Sequence, residues 1–546
     1  MGIRLRSYDA EGRTVGVLDP LGGQTLFELG PFGTTAARAD PTGERHEFAF
    51  DSELRQTSVT NSAGAAWQYV HDAAGRLVSE TDFIGRTLTY EYDAAGQLTV
   101  RVDALGNRSE FTRDPAGRIT IRRTGDGDFA YKYDAMGRLT RAAGPSGADV
   151  VYDYDAAGQV VSETVDGHQV VSEYDAAGRR IRRTSPSGAV SAWSFDAVGR
   201  PAALLADAGR PDFQYDAASR LTSVVFGPQA RLEQGMDAVG RLVTQRLWTE
   251  ERPFTAGQPA LGRDITYRPD GTPTAVTDTL RGIRRYSLDP AGRVTDVRAE
   301  AWSESYAYDA YGTVTQADMP AAPEATGPRT VDQTLIRQAG RTSYEYDAAG
   351  RLVRAVRRSL DGRRREWTYT WNTDDQLTRV KLPDGTTWRY RYDPLGRRTA
   401  KDHVADGTVV ETVRFAWDGD LLVEQHTSGG DGGREVWTWD YDPATSRPTA
   451  QRRRHWVDDA PQEAVDEAFH AIVTDQLGTP SELVDEDGRI AWHTTTSLWG
   501  KQAAVAAEDG VDCPLRFPGQ YLRRRDRPSL QPFPLLRPGD RRISQP

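Results

Sequence analysis

Residues 88–102 read Leu-Thr-Tyr-Glu-Tyr-Asp-Ala-Ala-Gly-Gln-Leu-Thr-Val-Arg-Val, and this stretch decides the fold. Tyr90 and Tyr92 are two apart, so they leave the same face of a strand. Aromatic and β-branched residues suit a pleated, half-buried surface. Asp93 opens a turn, because its carboxylate accepts from backbone N–H groups just ahead. Gly96 supplies the positive φ that ends a bulged turn. Leu98, Val100 and Val102 alternate as the return strand. A second turn lies about half a period away on either side. It reads Asp82-Phe83-Ile84-Gly85-Arg86 before this copy and Asp103-Ala104-Leu105-Gly106-Asn107 after it.

The phrase Tyr92-Asp93-Ala94-Ala95-Gly96-Gln97-Leu98 recurs three times in full. The copies are Tyr133-Asp134-Ala135-Met136-Gly137-Arg138-Leu139, Tyr154-Asp155-Ala156-Ala157-Gly158-Gln159-Val160 and Tyr346-Asp347-Ala348-Ala349-Gly350-Arg351-Leu352. The anchoring Asp falls at 72, 93, 114, 134, 155, 175, 196, 216 and 237, always 20 or 21 residues apart. Such a period means a repeat architecture. One hairpin is marginal alone in water, but stacked copies pair and bury a continuous face. The expected fold is all-β: an antiparallel hairpin array that twists and curls, or closes, to limit its exposed edges.

The Tyr-Asp-x-x-Gly-Arg-Leu phrase at this period resembles the YD repeat of the rearrangement-hotspot (Rhs) proteins. Phe415-Ala416-Trp417-Asp418-Gly419-Asp420-Leu421-Leu422 also resembles their core. So do Thr474-Asp475-Gln476-Leu477-Gly478-Thr479-Pro480, Trp499-Gly500 and Arg516-Phe517-Pro518-Gly519-Gln520-Tyr521, in the expected order. The resemblance covers nearly all of residues 1–522. It implies a large hollow Rhs-type barrel or cage.

Composition sets the bounds. The chain has 546 residues, 38% of them hydrophobic, and a mean hydropathy of −0.62. Its 22 Tyr, 13 Trp and 15 Phe supply large units to bury, which argues against disorder. A net charge of −11 argues against a phosphate-binding surface and a nucleic-acid partner. Cys513 stands alone, which excludes an intrachain disulfide framework and is compatible with a reducing cytoplasm. No apolar run is long enough for a membrane helix, and the first residues lack a signal core. Because Tyr8-Asp9-Ala10-Glu11-Gly12-Arg13 falls inside the repeat and no cap precedes it, an incomplete protein is expected.

The organisation reads as a YD/Rhs array over 1–455, an Rhs core C-terminal region over 456–522 and a non-family tail over 523–546. The array is irregular at 246–285 and at 316–333, the latter reading as a loop. Residues 424–435 and 457–466 are polar or acidic and are expected to be exposed. Ala503-Ala504-Val505-Ala506-Ala507-Glu508 is the one candidate for a short helix.

The sequence carries little that points to chemistry. The sequence holds no phosphate-loop motif, no His-Glu-x-x-His zinc motif and no paired Cys ligands, so no cofactor or metal is expected. His470 and Asp475 stand close in sequence, but spacing places no nucleophile beside them. The repeated Asp lacks the dense oxygen spacing of a calcium loop and reads as a turn cap. The Arg after each Gly is expected to pack its stem on an aromatic and to reach a neighbouring turn carboxylate. Asn107-Arg108-Ser109 matches a glycosylation sequon, but its place in a repeat turn explains it. The aromatic stripe is expected to pack across strands rather than stack on sugars or bases.

The resemblance implies a structural shell that encloses a C-terminal toxin, delivered in bacterial competition, often by type VI secretion. Immunity and secretion proteins encoded nearby are then the expected partners. An alternative is a cell-surface YD-repeat protein that binds carbohydrate or protein. Family members can cleave themselves at a C-terminal Asp-Pro-x-Gly-Leu motif; this sequence has none, and no enzyme activity is expected. Synthesis in a bacterial cytoplasm before any secretion is the expected localisation.

The composition changes abruptly after Leu522. Arg523-Arg524-Arg525-Asp526-Arg527 has no strand alternation, and Pro528, Pro532, Pro534 and Pro538 break any ladder. Permitted codons for Arg523 through Gly539, read from the second base of Arg523, can spell Asp-Asp-Glu-Thr-Gly-Leu-His-Tyr-Asn-Arg-Phe-Arg-Tyr-Tyr-Asp-Pro-Gly. That phrase resembles the continuation of an Rhs core. The tail is therefore expected to be a one-base frameshift product, leaving a shell without its last strand, cleavage motif or toxin. The nucleotide sequence checks this: codons that spell any other phrase in the shifted frame make the tail merely divergent.

Overall fold

The computed structural model describes residues 4–206, 209–227, 229–309, 312–429, 433–457, 466–517 and 520–521. Within them the chain forms 46 strands and no α-helix; two single 3-10 turns, Pro31–Gly33 and Phe254–Ala256, are the only helical elements described. Each strand pairs antiparallel with the next in sequence. Thr87–Tyr92 pairs with Leu98–Val102, which pairs in turn with Arg108–Arg113. The register slips by one residue at the Tyr-Asp turns, as at Lys132/Tyr133 and Asp153/Tyr154, which is the bulge that a closing glycine makes. The all-β hairpin array read from the period is the observed fold. Among the described residues no ladder joins the first strand, Leu5–Tyr8, to the last, Gln502–Ala507, so the sheet is an open ribbon.

The path of the ribbon follows from its long-range hydrogen bonds. Arg86 reaches Ala349, Asp126 reaches Thr373, Ser146 reaches Tyr392, Ser185 reaches Glu424, Gln245 reaches Thr474 and Arg284 reaches Thr496. Both partners' numbers rise together. A ribbon folded back on itself would pair rising numbers with falling ones, so this ribbon coils and lies beside its own earlier winding. The separation falls from 263 residues at Arg86 to 212 at Arg284. The later winding also has longer strands, such as Thr408–Asp418 and Pro448–Val457. It therefore crosses the same span with fewer strands, and the coil tapers.

The contact is rim to rim. The second turns of the earlier winding near residues 82–86, 124–127 and 144–148 meet the Tyr-Asp-type turns of the later one, and the turn at 185–188 meets Glu424 in the strand Leu421–Gly429. One core cluster spans the join, combining Trp193, Leu204, Leu232 and Leu247 with Phe469, Val473 and Val484. Another, around Trp367, Trp388 and Tyr390, belongs to the later winding alone.

Three expectations are corrected. Gln502–Ala507 is a strand paired with Ile490–Thr496, not a helix, because the register of the neighbouring strand outweighs alanine's helix preference. The 316–333 loop is shorter than its composition suggests, since Gln316 and Ala317 pair with Pro328 and Gly327. What remains between the strands is tucked inward, with Met319, Ala322 and Ala325 buried. Residues 424–435 are not all exposed: Glu424 is fully buried, as an acceptor across the seam. The other acidic stretch, 457–466, lies almost wholly outside the described residues, as does the tail from 523. Through the irregular 246–285 stretch the ladder continues, Leu261–Tyr267 pairing with Pro273–Asp278.

The seam carries buried charge. Arg397 donates to Asp393 at 2.7 Å, to Glu163 of the earlier winding at 2.6 Å and to the Gly419 carbonyl at 2.5 Å. All three charged side chains are buried. Removing one member leaves the others uncompensated away from water. Arg397→Met is expected to cost about 3–5 kcal/mol in urea unfolding. Arg108→Met, which breaks an exposed pair with Glu91, is expected to leave the urea midpoint nearly unchanged.

Candidate functional site: the repeat turn and the seam it builds

The working unit is the turn, and Asp134 shows it completely. Its Oδ1 accepts from the Met136 and Arg138 amides, both at 2.9 Å. Its Oδ2 accepts from Arg138 Nε at 2.6 Å. The Gly137 amide donates to the Asp134 carbonyl at 3.0 Å, with Gly137 at φ 83°. One carboxylate thus satisfies the turn's amides and fixes a guanidinium beside them.

That guanidinium links successive repeats. It lies over the ring of Tyr154, with its carbon 4.5 Å from the centroid, and Nη1 points at the Asp155 carbonyl, 3.5 Å away. Tyr154 in turn donates to the Leu139 carbonyl at 2.8 Å. Equivalent links join Arg76 to Tyr92 and Asp93, and Arg118 to Tyr133 and Asp134. The arginine therefore reaches its own turn's carboxylate and the next turn's carbonyl, not a neighbouring carboxylate as the sequence suggested. The Arg76 amide and guanidinium hold the Asp72 carboxyl below its ordinary range. In Asp114 the Arg118 guanidinium is the largest cause of the same shift.

Between windings the same device is reused. Arg86, on a second turn, donates to the Ala349 carbonyl at 3.0 Å. Ile84 and Arg86 press on Gly350, where a Cβ would stand 2.9 Å from Ile84 Cδ1. In the turn from Asp347 to Arg351, Asp347 Oδ2 accepts from Arg351 Nε at 2.8 Å, and Arg351 Nη1 donates to the Asn372 carbonyl at 2.9 Å. Tyr346 donates to the Ile336 carbonyl at 3.0 Å. Where glutamine replaces arginine, as at Gln97 and Gln159, Asp93 and Asp155 still accept its amide at 2.8 Å.

The later signature residues lie along the seam or pack within the later winding. Asp475 accepts from the Leu477 and Thr479 amides, and Gly478 closes the turn at φ 89°. The Gln476 carbonyl accepts from Arg447. Pro480 opens a strand buried throughout, in which Glu482 accepts from Arg263 of the earlier winding at 2.6 Å. Trp499 stands edge-on to Tyr306, 6.0 Å between ring centroids, and Gly500 lies against Phe517. The Gln520 amide donates to the Phe517 carbonyl. Tyr521 packs edge-on against Phe415 and Trp439 and bonds Gln425. Gly519 lies outside the described residues.

His470 and Asp475 make no hydrogen bond to each other among the described residues. Burial pushes the His470 imidazole down and the Asp475 carboxyl up. Among the described residues, no group of three or more His, Cys, Asp or Glu side chains is arranged to hold a metal ion. Sequence reasoning missed the buried ionic ties of the seam. Arg183 and Arg452 meet at Asp440, and Arg263 joins Asp278 to Glu482. No local pattern marks them, since Arg452 stands in a run of three arginines that reads as surface.

Comparison with known proteins places these features. The teneurin YD-shell family matches residues 44–204, the RHS repeat matches 371–409, and the RHS protein family matches 470–505. Probable deoxyribonuclease RhsA of Dickeya dadantii is 33% identical over 267 residues, 43% of this chain and 17% of the relative. Double-stranded DNA deaminase toxin A of Burkholderia cenocepacia is 32% identical over 316 residues, 54% of this chain and 21% of the relative. Toxin protein Tse5 of Pseudomonas aeruginosa is 29% identical over 311 residues, 47% of this chain and 23% of the relative. The chain thus spans a minor part of each relative's length. A solved Tc holotoxin pore of Photorhabdus luminescens shares the fold, at 15% identity and a TM-score of 0.66, over 95% of this chain and 31% of that one.

Gly158 tests the turn assignment. It sits at φ 87°, and a Cβ there would lie 3.3 Å from Arg138 Nη1. Gly158→Val is expected to cost about 1–3 kcal/mol, read as a lowered melting midpoint. Asp155→Asn, which keeps an acceptor for the Gln159 amide, is expected to cost less.

Proposed function

Because this chain belongs to the Rhs and YD-repeat family, we propose that it is the wall of a shell that encloses a toxic polypeptide during delivery between bacteria. The observation that carries this reading is the coil. A single ribbon winds beside itself, joined rim to rim by buried ion pairs and core packing. Such a wall excludes solvent and proteases from whatever lies inside without any chemistry of its own. Two of the relatives are named as toxins and a third as a probable deoxyribonuclease, and the repeat families match this chain over 44–204 and 371–409. Type VI delivery and immunity partners belong to the same reading. So does the frameshift, in which the codons of 523–546 carry the continuation of the wall one base out of frame.

The test is enclosure. The frame is restored at codon 523, and a protease-labile reporter is fused after the continuing phrase. The reporter is expected to survive protease concentrations that digest it when free, and to become sensitive once the wall is unfolded in urea. Digestion at the free rate overturns the reading.

A further inference from the structure

The seam holds one contact unlike its other ties. Strand His168–Tyr174 of the earlier winding meets strand Leu421–Gly429 of the later one through two imidazoles. The rings of His168 and His426 lie 5.4 Å apart at 64°, edge to face. His168 Nδ1 stands 3.1 Å from the Asp166 carbonyl, and His426 Nε2 stands 2.8 Å from Oε2 of Glu424. Glu424 ties the windings together beside them. It accepts from the Ser185 and Ser187 hydroxyls, from the Ser187 amide at 3.2 Å and from Thr438 Oγ1 at 3.0 Å. The remaining charged groups are Arg414 and Asp166, paired with each other across the seam at 3.1 Å.

We infer that the His168–His426 contact is a proton-operated latch on the seam, closed while His168 is neutral and loosened when it takes a proton. Both nearby carboxylates are already engaged, Asp166 by Arg414 and Glu424 by its ring of donors. A new charge on His168 would therefore have the Asp166 carbonyl as an acceptor but no carboxylate to itself, and would face the His426 ring and the Arg414 guanidinium. Burial, then the proximity of His426, pushes the His168 imidazole below its ordinary value. Glu424 does not compete in that range, because the His426 hydrogen bond and the serine hydroxyls outweigh its burial and hold its carboxyl at about 2.

The sign follows from linkage. The closed seam binds the proton less tightly than the open one, so protonation favours opening. The seam is fully stable above the ordinary histidine range and weakens as pH falls below about 6.5. For one proton the opening equilibrium rises by at most about tenfold per pH unit, then levels off.

Hydrogen exchange on the full chain between pH 7.5 and 5, corrected for intrinsic exchange, tests it. Protection of residues 166–171 and 421–428 is expected to fall across that range, while the seam at Ser146 and Tyr392 holds. His168→Phe, which keeps an aromatic edge but cannot titrate, is expected to flatten the response. Uniform loss at both seams, no loss at all, or an unchanged response in the variant each overturns the latch. Should that variant fail to fold, histidine-labelled NMR of the native chain decides, with His168→Gln for assignment. A His168 titration below the free-imidazole value supports the latch, and one at or above it overturns it.

Discussion

The structure depends on a carboxylate that does two jobs at once. Where arginine closes the turn, the aspartate pins the amides of its own turn with one oxygen and orients a guanidinium with the other, as Asp134 does for Arg138. The oriented arginine then spans the gap to the next repeat, covering a tyrosine ring and pointing at a backbone carbonyl. A free arginine would lose rotamer entropy to make that link; one already held by its own turn loses less. The repeat is thereby stiffened along the rim, where a hairpin array is otherwise weakest.

A stiff rim is also a dockable one. The second turn at Asp82 is built the same way, with Arg86 held at Asp82 and aimed outward at Ala349 of the later winding. Deeper along the seam the contacts become buried and ionic, at Glu163–Arg397, Arg183–Asp440 and Arg263–Glu482. Buried pairs of this kind add little net stability over apolar packing, but a slipped register would leave their charges unpaired at several kcal/mol each. They fix which turn of one winding faces which turn of the other. A wall made of near-identical repeats needs such a device, because its apolar contacts alone would fit equally well one repeat out of step.

Much of the turn was legible locally. The Asp, the Gly and the return strand at 93–102 follow from spacing and conformational preference, and the residues stand as those rules place them. The reach of the arginine was misjudged because its target is a carbonyl, which no side-chain pattern displays. Ala503–Ala507 was misjudged because alanine's own preference is weak against a waiting strand edge. Glu424 was misjudged because polar character predicts exposure only when no partner waits inside.

The sequence by itself determined the antiparallel ladder, its two-turn period and the chemistry of each turn, since all of these act over a few residues and repeat too often to be masked. It did not determine that the ribbon lies beside its own earlier winding, that it tapers, or that Glu163, Arg263, Glu424 and Asp440 are buried at the join. Those features pair residues more than two hundred positions apart. Their partners become neighbours only through the twist and bulge accumulated over many strands, a sum to which each repeat contributes and which none encodes alone.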